Sequence, residues 1–371
     1  MDRLGPYIFI FLFLGLTFFE RARTKGETGS LWLVLARNFA VFLFAAAGYL
    51  FFGVDLIDPD SGKELFETAK SMFGSANRIG ILNDLLRPGL LSVGASLIVA
   101  AGIWELRLRF WFKWAALFCF TFIIYPLFGR LEAAQTGLYD FAGALLNWSL
   151  PAAFVLGIRL LVPAQALPEE RKHSLKGINI LPGMKHRFLV SRGIGFTMVF
   201  LVLNATTLTG SSWVLSKTLT LISASFTILF CNFFFFGLFG RNDMDRISYA
   251  PPLLAIMATL TATQACNEYA SHQAILAAVV TTFAAMLYLR TVPLKIRYWD
   301  PVCSTPVFLI GGISGALIAT ITEPAKLLYQ IPGVIACLAI GCGSGAAISL
   351  LLSRFALQKA ALKSELVAPH H

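Results

Sequence analysis

The chain has 371 residues, of which 57% are hydrophobic and only 13% charged. So few charges cannot screen that much apolar surface from water, which excludes an ordinary soluble domain and implies an integral membrane protein. The formal net charge of +10 needs no nucleic-acid partner, because positively charged cytoplasmic loops account for it.

Roughly 20 apolar residues cross a bilayer, and eleven apolar runs succeed one another along the chain. They are Leu4–Phe19, Leu31–Phe52, Leu86–Trp104, Phe110–Phe128, Leu138–Val162, Leu189–Thr206, Leu215–Phe239, Tyr249–Cys266, Ala274–Val292, Pro306–Thr322 and Ile331–Leu352. The first is read as a retained span, since Glu20-Arg-Ala-Arg-Thr-Lys25 and no small-residue cleavage site comes after it. In lipid the backbone must satisfy its own hydrogen bonds, and runs of this length suit helices better than barrel strands. The predicted fold class is therefore all-α integral membrane, one domain over residues 1–352 with a short cytoplasmic tail at 353–371.

The loops alternate in charge. One set is basic, with Arg21, Arg23 and Lys25, then Arg107, Arg109 and Lys113, and later Arg290, Lys295 and Arg297 among others. The other set is sparse or acidic, with Asp55, Asp58, Asp60 and Glu64, then Glu132, Glu268 and Glu323. Lysine and arginine favour the cytoplasmic side, which puts the amino terminus outside and the carboxyl terminus inside. An odd number of spans likewise requires ends on opposite sides.

Two loops carry further signals. In the outer loop over 54–85, Ser61-Gly-Lys-Glu64 reads as a capping box, and Leu65, Phe66, Ala69, Met72 and Phe73 recur at helical spacing. That stripe either packs on the chain's own helix ends or forms a docking face or lid. The inner loop over 163–188 is the most basic segment; it contacts anionic lipid heads or a cytoplasmic partner. Cys119, Cys231, Cys266, Cys303, Cys337 and Cys342 show no metal-type spacing, so buried thiols are expected and no metal or cofactor. Gly341-Cys-Gly-Ser-Gly345 lies inside an apolar run, where small residues serve helix packing rather than phosphate binding. With no nucleophile–base constellation, an enzyme is not expected.

The stretch Gly137-Leu-Tyr-Asp-Phe-Ala-Gly-Ala-Leu-Leu-Asn-Trp148 opens the fifth run. An acid such as Asp140 at the mouth of a span must face protein or water, and Ala142 and Gly143 beside it permit close helix approach. Asp-Phe-Ala-Gly here resembles the signature of the ammonium transporter (Amt/Rh) family. Other stretches fit that pattern in order. Ala101-Gly-Ile-Trp-Glu-Leu-Arg107 is similar to the end of its third span, and Tyr125-Pro…Phe128-Gly129 to the end of its fourth. Leu181-Pro182 and Asn204-Ala205 match around its sixth, Thr263-Gln-Ala-Cys-Asn267 its Thr-Pro-Ala-Cys-Gly, and Asp300-Pro301 with Gly311-Gly-Ile-Ser-Gly315 its tenth.

The resemblance implies two inverted five-helix repeats plus a final helix, a narrow pore in each subunit and a homotrimer. It implies a bacterial inner (cytoplasmic) membrane, and structural packing roles for Gly143, Asn204, Gly311, Gly312 and Gly315. It also implies two pore histidines, one on the fifth span and one on the tenth. Register from Asp140 puts Trp148 at the first position, and register from Gly311-Gly312 puts Phe308 at the second. An imidazole pair can hold or relay a proton; indole donates one hydrogen bond and phenyl none. The histidines of this chain are His173, His186, His272, His370 and His371, all expected in loops or the tail, so no register gives a pore-histidine relay. Asp140 either ties a helix start to its neighbours or supports a cation directly. Asn147, Asn204, Asn232 and Gln264 read as interhelical hydrogen-bonding groups. The family's longer regulatory tail is not recognisable after Leu352. The leading expectation is a transporter fold that no longer conducts ammonium by proton relay and serves in binding, sensing or as a subunit of a membrane complex. The alternative is a channel for ammonium, ammonia or another small neutral solute through an aromatic-lined pore.

Overall fold

The computed structural model describes residues 31–49, 92–104, 106, 108–133, 143–162, 220, 222–231, 250–265, 271–291, 305–321 and 324–356. The first and sixth expected spans, both signal-bearing loops (54–85 and 163–188), Asp140, Asn204, Asn232 and the tail beyond Ala356 lie outside them. Each of the other nine expected runs contains a helix among its described residues, and among the described residues there is no β-strand.

In chain order the helices are α1 (Leu31–Gly48), α2 (Ser92–Ile103), α3 (Phe110–Phe118), α4 (Tyr125–Ala133), α5 (Leu150–Leu161), α6 (Ile222–Cys231), α7 (Ala250–Ala265), α8 (Ser271–Thr291), α9 (Ile310–Ala319) and α10 (Pro324–Ala356). Among the described residues, three wide π turns are spliced between them. Cys119–Ile124 joins α3 to α4, Ala144–Ser149 runs into α5, and Thr305–Leu309 runs into α9. Each adjoins or contains a proline, at Pro126, Pro151 and Pro306. Before Pro126 and Pro151, the missing N–H leaves the carbonyl one turn back without its helical donor and the ring crowds that carbonyl, so the preceding turn opens; Pro306 stands inside its own π turn, at the second position. The Tyr125 and Leu150 N–H groups accordingly reach back five residues, to the Phe120 and Leu145 carbonyls.

Among the described residues, three stretches are long and apolar enough to span a membrane: Phe110–Leu131, Ala144–Leu161 and Leu327–Leu352. The last has 26 residues, or about 39 Å of helix at 1.5 Å per residue, more than a bilayer core is thick, so it has length to spare for tilt. α10 runs on to Ala356 instead of stopping at Leu352, since Ser353-Arg-Phe355 contains no helix breaker.

α5 is the centre. Its residues from Leu150 to Val155, with Gly157, Ile158 and Arg159, are buried. Lipid is as apolar as leucine and supplies no hydrophobic drive between helices, so close packing must hold them together. α10 meets α5 through glycines. A Cβ at Gly345 would strike the Phe154 backbone, one at Gly341 the Ala153 side chain, and one at Gly157 the Cys342 backbone. α2 approaches at Gly102, where Val155 fills the space a side chain would need, and Phe120 packs on Phe154 with ring centroids 5.2 Å apart.

A second group, α7, α8 and α9, is knit in the same manner. Gly311 faces the Ala258 carbonyl and Thr261, and Gly315 faces Ala262. The Thr259 and Thr282 hydroxyls hydrogen-bond across α7 and α8 at 2.6 Å. Cys231, Ala255, Ala258, Ala285 and Met286 form a small core between α6, α7 and α8. The outer surface is apolar, with Phe110, Phe226, Leu328 and Leu351 each about 70% exposed. Water would penalise such a rim, whereas acyl chains wet it.

Candidate functional site

The π turns at Ala144–Ser149 and Thr305–Leu309 bring the two sequence-predicted pore positions together. One extra residue in a turn rotates the rest of the helix by roughly 100°, so the opened turns decide where their side chains aim. Trp148 and Phe308 face each other with centroids 5.3 Å apart and planes 8° from parallel. Only 5% of Trp148 and 2% of Phe308 is exposed. Neither ring points into lipid. Face-to-face rings at this spacing cover each other's π surfaces and leave no acceptor between them.

The support of Trp148 is polar and local. The Tyr125 hydroxyl, from the first turn of α4, donates to Asn147 Oδ1 at 2.8 Å. The Asn147 amide nitrogen lies where a Cβ on Gly143 would be. Ser149 Oγ donates to the Ala144 carbonyl at 3.0 Å, and Cys337 Sγ, from α10, lies 3.7 Å from the Leu145 carbonyl, the acceptor of its thiol. Gly312 on α9 lies against Ser149 and the Ala144 carbonyl. The Ala144–Ser149 turn is thus held by a tyrosine–asparagine bond, a serine bond, a thiol contact and a glycine of α9.

Gly143 has a different task from the one read in the sequence. Its φ of 71° is left-handed backbone, which costs an L side chain about 1–2 kcal/mol, and the obstruction at its Cβ position is Asn147 of the next turn rather than another helix. Gly311, Gly312 and Gly315 do lie against other segments' backbone. Asn147 is an inter-element hydrogen-bonding group, as expected. His272 is not in a loop, because α8 starts at Ser271 and carries it on its first turn, where it is exposed. Among the described residues it is the one histidine, and the Trp148–Phe308 contact contains none.

Sequence reading missed three buried or half-buried cations. Arg159 is 2% exposed, and its guanidinium donates to the Gly102 carbonyl at 2.6 Å. Arg37 lies 5.3 Å and the Lys113 ammonium 6.0 Å from the Trp104 ring centroid, and Lys113 donates to the Trp104 carbonyl at 2.6 Å. The signal was present for Arg37 and Arg159, since an ionisable residue inside an apolar run needs a protein partner.

By sequence, no protein-family model and no curated protein matches the chain. By fold it matches several solved structures. A protein described as a sensor Amt protein superposes with a TM-score of 0.71 at 18% identity, over 100% of this chain and 97% of that one. Mep2 of Saccharomyces cerevisiae gives 0.66 at 15% identity, over 94% of this chain and 83% of its own. Rh50 of Nitrosomonas europaea, described with the Rhesus protein family of channels, gives 0.63 at 16% identity, over 100% and 91%. The resemblance carried by Asp-Phe-Ala-Gly and the scattered motifs is therefore matched by the path of nearly the whole backbone: this chain has the membrane fold of the Amt/Mep/Rh ammonium transporter family.

Proposed function

We propose that this protein has the ammonium-transporter fold without proton-relay conduction, and that it acts by binding or sensing, or as a subunit of a membrane complex. The observation that carries the reading is the buried parallel stack of Trp148 on Phe308 at 5.3 Å. The family resemblance places a histidine at each of these positions. An imidazole pair passes a proton because each ring both donates and accepts. The stacked rings offer one N–H donor, no acceptor and no titratable group. Ammonium, itself a donor, finds no lone pair there to replace its water.

A neighbour described as a sensor Amt protein makes sensing the branch to examine first. Asp140, at the outer entrance in this reading, then belongs to the recognition end, while Trp148 and Phe308 close the path beneath it. A single membrane domain over 1–352 assembled as a homotrimer is part of the same proposal, and the mass of the complex in detergent reads it.

The test uses proteoliposomes containing the full chain. Methylammonium uptake and ammonium-evoked current are expected at the protein-free background, while millimolar ammonium changes tryptophan fluorescence saturably in the same sample. Robust saturable uptake would overturn the proposal in favour of an aromatic-lined channel. Background flux with no ammonium-dependent signal would remove binding or sensing of ammonium and leave the complex-subunit role.

A further inference from the structure

The buried stack ends a series of π turns, each joined to the next by a side-chain contact. In Cys119–Ile124, Thr121 shares a hydrogen bond with Ser96 of α2 at 3.0 Å, and the Thr121 and Phe122 side chains fill the space a Cβ would need at Gly48 of α1. Tyr125, the residue after that turn, donates to Asn147 Oδ1 in Ala144–Ser149 at 2.8 Å. Trp148 follows Asn147 and lies on Phe308 of Thr305–Leu309 at 5.3 Å. A change of bonding in the middle turn therefore reaches the stack directly.

That middle turn has two discrete ways to bond. The Leu150 N–H reaches the Leu145 carbonyl, five residues back; in an α turn it would take Leu146, one residue nearer. The α bond is the better backbone geometry, but it drives the Pro151 ring against the Asn147 carbonyl. Backbone terms thus oppose each other, and side chains decide between them. Ser149 Oγ on the Ala144 carbonyl braces the open form. Asn147 blocks the entry of the turn, since its amide nitrogen fills the Cβ space of Gly143, and Tyr125 holds Asn147 there. Gly143, with its φ of 71°, is the residue to take up slack, because glycine passes between positive and negative φ with no Cβ to obstruct it.

Tightening takes one residue out of the turn, about 100° of rotation spread over the six residues Ala144–Ser149. Leu150 is fixed by the packing of α5, and Trp148 stands two positions before it, so the indole takes about a third of the rotation, on the order of 30°. A ring roughly 6 Å from the helix axis then moves about 3 Å. That is enough to uncover the face of Phe308.

We propose that Tyr125 and Asn147 form a latch on the Trp148–Phe308 stack, and that its release lets Ala144–Ser149 tighten from π to α and slides the indole off the phenyl ring. On the reading that the stack closes the path, on which this rests, the latch gives a sensor its second state. A ligand shifts an equilibrium only between two states, and a stack with one position reports nothing.

The experiment is fluorine NMR of the full chain in lipid nanodiscs, labelled with fluorotryptophan, the Trp148 signal being identified by its loss in Trp148→Phe. In the wild type the main Trp148 signal is expected to carry a ring-current shift from Phe308 that Phe308→Leu abolishes. Tyr125→Phe should raise the ratio of unshifted to shifted Trp148 signal about fivefold, the factor that one net hydrogen bond supplies. Asn147→Ala should raise it too, and adding Tyr125→Phe to Asn147→Ala should raise it no further. Thr259→Val, which removes the buried bond to Thr282, should leave it unchanged. A single shifted signal in every Tyr125 and Asn147 variant would overturn the latch, as would an equal rise in Thr259→Val. Methylamine permeability of the same variants in proteoliposomes tells the two readings apart. Displaced indole with permeability at background keeps the latch and refutes the stack as the obstruction. A stack that never separates, with background flux in the wild type, refutes the latch and leaves the obstruction standing.

Discussion

Replacing Phe308 by alanine separates a stack that merely packs from one that also obstructs. The ring is 2% exposed and lies flat on Trp148 at 5.3 Å. Lipid solvates a phenyl group about as well as protein does, so the transfer part of the usual large-to-small penalty is small here. The cavity part remains, and a void of roughly 100 Å3 at about 24 cal/mol per Å3 costs about 2.4 kcal/mol. Loss of the aromatic pairing itself adds about 1 kcal/mol. Phe308→Ala should therefore lower unfolding stability by about 3 kcal/mol in detergent micelles. In a double-mutant cycle with Trp148→Leu, about 1 kcal/mol of that loss should be shared, because neither substitution alone leaves the stack. The same variant in proteoliposomes should raise methylamine permeability above the wild-type background, since removing one ring opens the space between the segments. A variant as stable as the wild type, with no coupling to Trp148, would refute the stack. A destabilised variant with unchanged permeability would refute its role as an obstruction while leaving its role in packing.

Other substitutions test the supports of the site. Gly345→Ala puts a methyl into the Phe154 backbone and should cost about 1–3 kcal/mol by overpacking, whereas Gly343→Ala, with nothing within 4 Å, should stabilise α10 by up to about 1 kcal/mol from helix propensity; thermal unfolding of the two proteins gives the comparison, and equal effects would refute the α5–α10 contact. Tyr125→Phe removes the 2.8 Å bond to Asn147 and should cost about 1 kcal/mol, with a shift in tryptophan emission as Trp148 loses its fixed turn; an unchanged spectrum would mean that the bond does not position the indole. Gly143→Ala should cost about 1–2 kcal/mol for the left-handed backbone alone and more with Asn147 in place, so Asn147→Ala should relieve part of the loss, and strict additivity would deny the contact.

Hydropathy along the chain was enough to locate the apolar helices of the described residues, because a helix that must bury its own hydrogen bonds in lipid needs a run of set length and little else. The prolines at 126 and 151 mark where two of those helices open, for a local reason too. The two positions at the centre, Trp148 and Phe308, were also legible, but only through a family resemblance carried by Asp-Phe-Ala-Gly and Gly311-Gly312.

Local sequence does not hold the remainder. Gly143 reads as one more small residue for helix packing, and only the backbone reveals a left-handed turn closed by Asn147. Arg37, Lys113 and Arg159 are separated by up to 122 positions, and their convergence on α2 arises from three helices packing around its end. Which residues lie in a span is decided by one-dimensional solvation energy, a sum over neighbours in the chain. That two rings 160 positions apart lie parallel at van der Waals distance depends on helix crossings set by glycines at 157, 312, 315, 341 and 345. Those contacts exist only once the chain has closed on itself.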